Sequence, residues 1–240
     1  MYLKEYLETA IIAARNAGEF LMKNKNKTKK VLVEKGRDIK IELDRDCENL
    51  IREELKSTNI KVLGEEFGGE ISQEFLSWVV DPIDGTANYF RGLDQCCVSI
   101  ALMDGAKSKV GVIYNFNTDE IFYASSGNGA YLNEKKIEVS DISVQSKASL
   151  FTGFPASESI ESQSLFLKDL KAWKKIRMFG SAALSCAYVA SGRGDYYAEK
   201  GVYLWDFAAG ICLVEEAGGK VEFSLIDTDR YSVKFSNGKL

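Results

Sequence analysis

The chain contains no histidine. That absence removes Ser-His-Asp and Cys-His catalysis, together with His-ligated zinc and iron sites. Acid–base chemistry then falls to carboxylates, lysine, tyrosine, hydroxyls or water on a metal. Proline is nearly missing, with two in 240 residues, and no Pro-rich linker, internal repeat or low-complexity segment divides the chain. No apolar run approaches the length of about 18 residues that a membrane span needs. Glu5 and Glu8 interrupt the N-terminal apolar residues, so the start does not read as a signal peptide. The five cysteines (Cys47, Cys96, Cys97, Cys186 and Cys212) are odd in number and show no C-x-x-C spacing. A disulfide framework and a thiolate zinc site are therefore not expected, and reduced thiols in a cytoplasmic protein are the simplest reading. A surplus of positive charge is lacking too: 31 basic against 35 acidic residues give a net charge of -4, so no nucleic-acid partner is expected. The one dense basic stretch, Lys23 to Lys30, reads as a solvated helix end.

What is present is ordinary globular material, 45% hydrophobic and 28% charged. Leu3, Leu7, Ala10, Ile11, Ala14, Ala17 and Leu21 recur at spacings of three and four and predict a helix over 3–23. Short strands are expected at 31–33 and 39–43, with Asp44 as the N-cap of a following helix. Val62-Leu63 and Trp78-Val79-Val80 read as buried strands that deliver acidic residues at their C-terminal ends. From Cys97 to Val139 the pattern is a strand meander, and Gly127-Asn128-Gly129 reads as a hairpin turn rather than part of a dinucleotide fingerprint. Helices are expected at 160–172, from a Ser181 cap to Ala190, and over 205–217. The change of pattern near residue 140 suggests an N-terminal α+β subdomain (1–140) and a C-terminal α/β subdomain (141–240) joined in one catalytic unit.

Three acidic segments stand out: Gly64-Glu65-Glu66, Asp81-Pro82-Ile83-Asp84-Gly85-Thr86-Ala87-Asn88, and Trp205-Asp206-Phe207-Ala208-Ala209-Gly210. Each alone has an ordinary reading as a turn, a solvated loop or a helix cap. The middle one is more than its parts. Asp81 ends an apparently buried strand, where a bare carboxylate is costly. Pro82 stiffens the turn that returns Asp84 to the same side. Gly85 lets backbone approach a ligand, and the amides of Gly85 and Thr86 can face an anion. Oxygen-only ligands beside an anion-accepting turn favour Mg²⁺ or Mn²⁺ over zinc.

With these segments the sequence resembles the inositol monophosphatase family. Its motif D-P-[IL]-D-G-T-x-N-[FY] is matched from Asp81 to Tyr89, W-D-x-A-[AG]-[AG] from Trp205 to Gly210, and G-E-E at Gly64. Gly129 to Asn133, Gly180 to Ala183 and Val189 to Gly192 match further motifs, so the resemblance spans roughly residues 5–238. Departures are Asp94-Gln95-Cys96-Cys97 before the Val98-Ser99-Ile100 strand, Ile41 in place of a common Thr, and a final helix expected to be short or absent.

The resemblance implies an α/β (α+β) fold, the layered αβαβα sandwich of the inositol monophosphatase and fructose-1,6-bisphosphatase type. It implies two or three Mg²⁺ ions per site, replaceable by Mn²⁺. Glu65, Asp81 and the Ile83 carbonyl would hold the first, and Asp81, Asp84 and Asp206 the second. Water activated by the metals would attack phosphorus, with Glu65, Thr86 and Asp44 as catalytic groups. Gly85, Thr86, Gly180, Ser181, Ala182 and Glu199 would line the substrate, and Lys35 and Gly36 match a metal loop. Lithium sensitivity and a homodimer are also implied. The substrate expected is a small phosphate monoester of the inositol 1-phosphate type. Fructose 1,6-bisphosphate, an adenosine 3′,5′-bisphosphate and NADP are alternatives within the superfamily. A regulatory protein associated with the transcription machinery is the alternative outside enzymology.

Overall fold

The computed structural model describes residues 3–35, 38–72, 74–156 and 158–240, and within 33–40 only the backbone. Helix α1 (Leu3–Asn24) opens the chain and buries a stripe of small residues, Ala10, Ala13, Ala14, Ala17 and Gly18, ending at Leu21. Small side chains let the helix lie close on its sheet. A two-stranded ribbon follows, β1 (Val31–Lys35) with β2 (Asp38–Ile41), and then α2 (Glu42–Leu55). Helix begins at Glu42, so the second strand is shorter than its expected 39–43.

The first large sheet has seven strands: β3 (Lys61–Gly64), β4 (Leu76–Asp84), β5 (Cys97–Asp104), β6 (Lys107–Asn115), β7 (Glu120–Ser125), β8 (Ala130–Leu132) and β9 (Lys135–Ile137), in spatial order of sequence. A short helix, α3 (Thr86–Arg91), leaves the end of β4. Only β3 and β4 pair in parallel; every later neighbour is antiparallel, the meander the turn residues predict. The second sheet has order β11-β10-β12-β14-β13. It is built from β10 (Ser149–Thr152), β11 (Lys175–Arg177), β12 (Tyr196–Val202), β13 (Lys220–Leu225) and β14 (Tyr231–Ser236), interleaved with α4 (Ile160–Leu170), α5 (Ala182–Ala190) and α6 (Leu204–Glu216).

The layers follow from which faces are apolar. Strand β4 is buried on both faces after its first residue, as a central strand must be. Trp78 and Val80 point into the core shared with α1 and α2. Val79 points the other way, into the core that α5 and α6 share with the second sheet. Alternation along one strand thus feeds two cores, and each fully buried large side chain contributes about 1.5–3 kcal/mol. Helix α4 closes the outer face of the second sheet across a cavity of about 370 Å³ lined by Phe166, Trp173 and Tyr196. The stack is α1/α2, sheet, α5/α6, sheet, α4: a layered α/β sandwich. Among the described residues no helix is long and apolar enough to cross a membrane. All five cysteines are free and buried.

Candidate active site and metal centre

Strand β4 ends in a register shift between the pairs Asp81–Ser99 and Asp84–Cys97. The shift bulges Pro82 and Ile83 out of the ladder between the two aspartates, both of which remain buried. Asp81 Oδ1 accepts the Ile83 amide at 2.9 Å, a tight Asx turn around Pro82. Gly85 follows at φ +88, and a Cβ there would stand 2.7 Å from the Gln95 carbonyl oxygen, so both conformation and space require glycine. Asn88, one turn on, donates to the carbonyls of Gln95 (2.7 Å) and Phe179 (2.6 Å). That contact pins the motif to the Gly180 segment of the second half.

Asp84 faces the start of α5. It accepts the Ser181 hydroxyl, the amides of Ala182 (3.2 Å) and Ala183 (2.9 Å), and the Cys97 thiol (3.6 Å). Ser181 in turn accepts the Leu184 amide, the N-cap that the sequence indicates. Ser181 and Ala182 therefore meet a metal-ligand candidate directly, and Gly180 sits against Asn88.

Asp206 is the third helical residue of α6 and accepts the Tyr203 amide at 2.8 Å. Ser99, the register partner of Asp81, donates to the Trp205 carbonyl at 3.4 Å, which brings the first turn of α6 beside Asp81. Arg230 stacks 3.6 Å above the Tyr203 ring, and Tyr203 stacks on Trp205 at 4.6 Å. Sequence reasoning missed this ladder, because Arg230 lies far down the chain on a hairpin. Glu65 sits on the turn after β3, its amide bonded to the Val80 carbonyl at 3.2 Å.

Burial pushes Asp81 well above the usual carboxylate range, and the charges of Glu65, Asp84 and Asp206 push it further. Burial does the same to Asp206, reinforced by Asp84 and Glu65, against the lowering effect of the Tyr203 amide. Asp84 is also raised by burial, with its four donors acting in opposition. These side chains repel one another as one acidic cluster. Among the described residues none of Asp81, Asp84 and Asp206 forms an ion pair with lysine or arginine. No three acidic or thiol groups there are already gathered tightly enough to hold an ion. Asp81 shares a hydrogen bond with the Glu65 side chain while Asp84 is turned into the start of α5, so the acidic set is only partly gathered. In donor chemistry it fits a hard divalent cation: oxygen ligands only, several negative charges, and burial that makes the ionised state costly without a counter-charge.

Asp44 does not cap α2 as expected. It is the third helical residue, and its carboxylate reaches back to the amide of the true N-cap, Ile41, at 2.6 Å. The reason is the neighbour: isoleucine has no side-chain acceptor, so only this half of a capping box can form. The other oxygen of Asp44 accepts the Thr86 hydroxyl at 3.3 Å, and Thr86 is also 2.9 Å from the Ile83 carbonyl. Burial pushes Asp44 up to about 8, partly countered by the Ile41 amide, with Glu65 and Glu66 adding to the rise. Glu199 on β12 accepts the Tyr197 hydroxyl at 3.0 Å and is pushed to about 7 by burial, with the Asp84 charge contributing. Lys35 lies in β1 by its backbone; its side chain and Gly36 lie outside the described residues.

The departing segment Asp94 to Cys97 also finds its partners. Asp94 pairs with Lys25 at 2.8 Å, Lys25 also reaches Asn117 at 2.8 Å, and Cys96 and Cys97 are buried. The basic stretch is thus not wholly a solvated helix end: Lys25 and Lys29 pack back on the body, Lys29 over the Tyr89 ring.

An inositol monophosphatase from Anabaena superposes with a TM-score of 0.86 at 34% identity, covering 99% of this chain and 92% of that one. The architecture is the layered α/β fold of the inositol monophosphatase and fructose-1,6-bisphosphatase type. The profile of the inositol monophosphatase family matches residues 2–223, and the chain belongs to that family. A Nus factor SuhB of Xylella fastidiosa is 41% identical over 239 residues, 96% of this chain and 86% of its own. Inositol monophosphatase 1 of Solanum lycopersicum is 38% identical over 234 residues, 90% of this chain and 84% of its own.

Proposed function

We propose that the chain is a Mg²⁺-dependent phosphomonoesterase acting on a small soluble alcohol phosphate of the inositol 1-phosphate type. The observation that carries this reading is Asp81, buried in the combined field of Glu65, Asp84 and Asp206. A phosphate dianion about 5 Å from such a cluster would be repelled by roughly 3 kcal/mol per charge pair at an effective dielectric near 20. Divalent cations reverse that sign. Glu65, Asp81 and the Ile83 carbonyl would hold one ion, and Asp81, Asp84 and Asp206 another, with room in the chemistry for a third or for Mn²⁺. When bound, the ions supply Lewis-acid charge for an in-line displacement at phosphorus.

The chain's own groups do the rest. Gly85 and Thr86 present backbone to the phosphate, and the Gly180–Ala182 segment and Glu199 bound the alcohol. Thr86 orients the attacking water through its hydroxyl oxygen and passes its own proton toward Asp44, 3.3 Å away, which must be ionised to receive it. A homodimer is part of this reading, as is a reducing, cytoplasmic location consistent with five buried free thiols. Phosphate release from a panel of phosphomonoesters, assayed with Mg²⁺ and with a chelator, tests it. Release confined to the Mg²⁺ arm supports it, and no release from any monoester overturns it. One relative's name, Nus factor, favours a second reading, a regulatory partner of the transcription machinery. A pull-down compared with the same assay separates the two.

A further inference from the structure

Helix α2 carries more than Asp44 toward the site. Glu48, one turn on, is completely buried. Its carboxylate accepts the amides of Glu66 (2.7 Å) and Phe67 (3.4 Å), and Arg52 donates to it at 2.8 Å. Arg52 then uses its other nitrogens on the Val62 carbonyl (3.3 Å) and the Gly68 carbonyl (2.9 Å). Those two carbonyls lie on either side of the turn that bears Glu65, and the turn itself is closed by the Gly64 amide on Gly68 at 3.1 Å. A Cβ on Gly64 would stand 2.0 Å from Glu48 Oε1, so the turn sits directly on the carboxylate. A buried ion pair is weak evidence for stability. This pair is placed instead to hold amides and carbonyls of one turn in fixed register.

We infer that Glu48 and Arg52 are positioning residues that aim Glu65 at the metal centre, so that α2 sets both the Asp44 acceptor and the Glu65 ligand. The inference rests on the metal-site reading above. Neither residue touches the reacting atoms; both act through the backbone of the 64–68 turn. The sequence carries a trace of this arrangement in the spacing Asp44, Glu48, Arg52, which puts all three on one helix face.

The test is Mn²⁺ binding to the full chain, followed by loss of the free-ion electron paramagnetic resonance signal well below the melting temperature. Glu48→Gln keeps size and one acceptor but removes the charge; Arg52→Lys keeps the charge but removes the fork. Each should weaken Mn²⁺ binding by about 10–100-fold, as for groups that orient a ligand from behind. Glu65→Gln is the control. Loss in Glu65→Gln with wild-type affinity in both positioning variants overturns the inference alone. Unchanged affinity in Glu65→Gln overturns the ligand reading and the inference with it. Should Glu48→Gln not fold, Arg52→Lys decides by itself.

Discussion

The Thr86 hydroxyl lies 3.3 Å from Asp44 Oδ1, joining the first turn after the β4 motif to the first turn of α2 across 42 residues. The same hydroxyl is 2.9 Å from the Ile83 carbonyl, so its single proton has two acceptors. A hydroxyl makes a poor terminal base, so a proton it takes from water needs a better acceptor.

If the pair acts as one relay, Thr86→Ala and Asp44→Asn each lower kcat by a factor on the order of 10²–10⁴. The double variant is then hardly worse than either single. Measuring kcat for all four proteins at saturating Mg²⁺ decides the point: multiplying losses show independent roles. A normal rate with lowered thermal stability in Asp44→Asn leaves Asp44 only its bond to the Ile41 amide.

Metal-free protein should lose stability as pH rises through neutrality. Asp81, Asp206 and Asp44 are all raised in the folded state, so each favours folding fully below the unfolded value of about 4 and stops doing so as pH passes its folded value. For Asp44 that value is about 8. Melting in a chelator is therefore expected to drop between pH 6 and pH 9, with Mg²⁺ restoring more at the upper end. A Mg²⁺ gain that is equal at both ends contradicts the electrostatic account.

Much of this is legible in the sequence. Periodicity marked α1, the Ser181 cap marked α5, the Gly218-Gly219 stop marked the end of α6, and turn residues marked the meander, because those signals are local. The strands β11 to β14 were not: KIR is three mostly exposed residues that form a strand because β10 pairs with them, and the polar–apolar alternation of KVEFSL, which makes a hairpin with β14, went unread. At the site, the acidic segments could be read, since Asp81 and Asp84 are three positions apart around a proline. The cap of α2 was misplaced because Asp44 looks like a cap in isolation, and only the backbone shows that Ile41 occupies that position. The Glu48–Arg52 clamp and the Arg230 stack were invisible as functional features, because their partners are backbone atoms or rings brought together by the fold.

Glu199 supplies a separate handle. Burial raises it to about 7, so it destabilises the folded chain progressively as pH climbs from about 4.5 toward that value. Glu199→Gln should flatten that part of the stability curve and raise KM for a polyol phosphate while leaving Mg²⁺ binding intact. A variant with an unchanged KM removes Glu199 from the substrate pocket.

Lithium is expected to inhibit. A small hard cation can enter an oxygen-only site, but one charge stabilises a leaving alkoxide less than two. Turnover measured against LiCl at fixed Mg²⁺ checks this; no inhibition at tens of millimolar, roughly the range for competition among weakly bound hard cations, places the site outside the sensitive branch.

Phosphate release across a Mg²⁺ titration by wild type, Asp81→Asn and Asp206→Asn tests Asp81 and Asp206 as metal-holding carboxylates. Wild type should show saturable, chelator-sensitive release. Neither variant should release phosphate, although both fold and melt at or above the metal-free wild-type temperature because like charges have been removed. Near wild-type release at limiting Mg²⁺ by either variant would contradict that role.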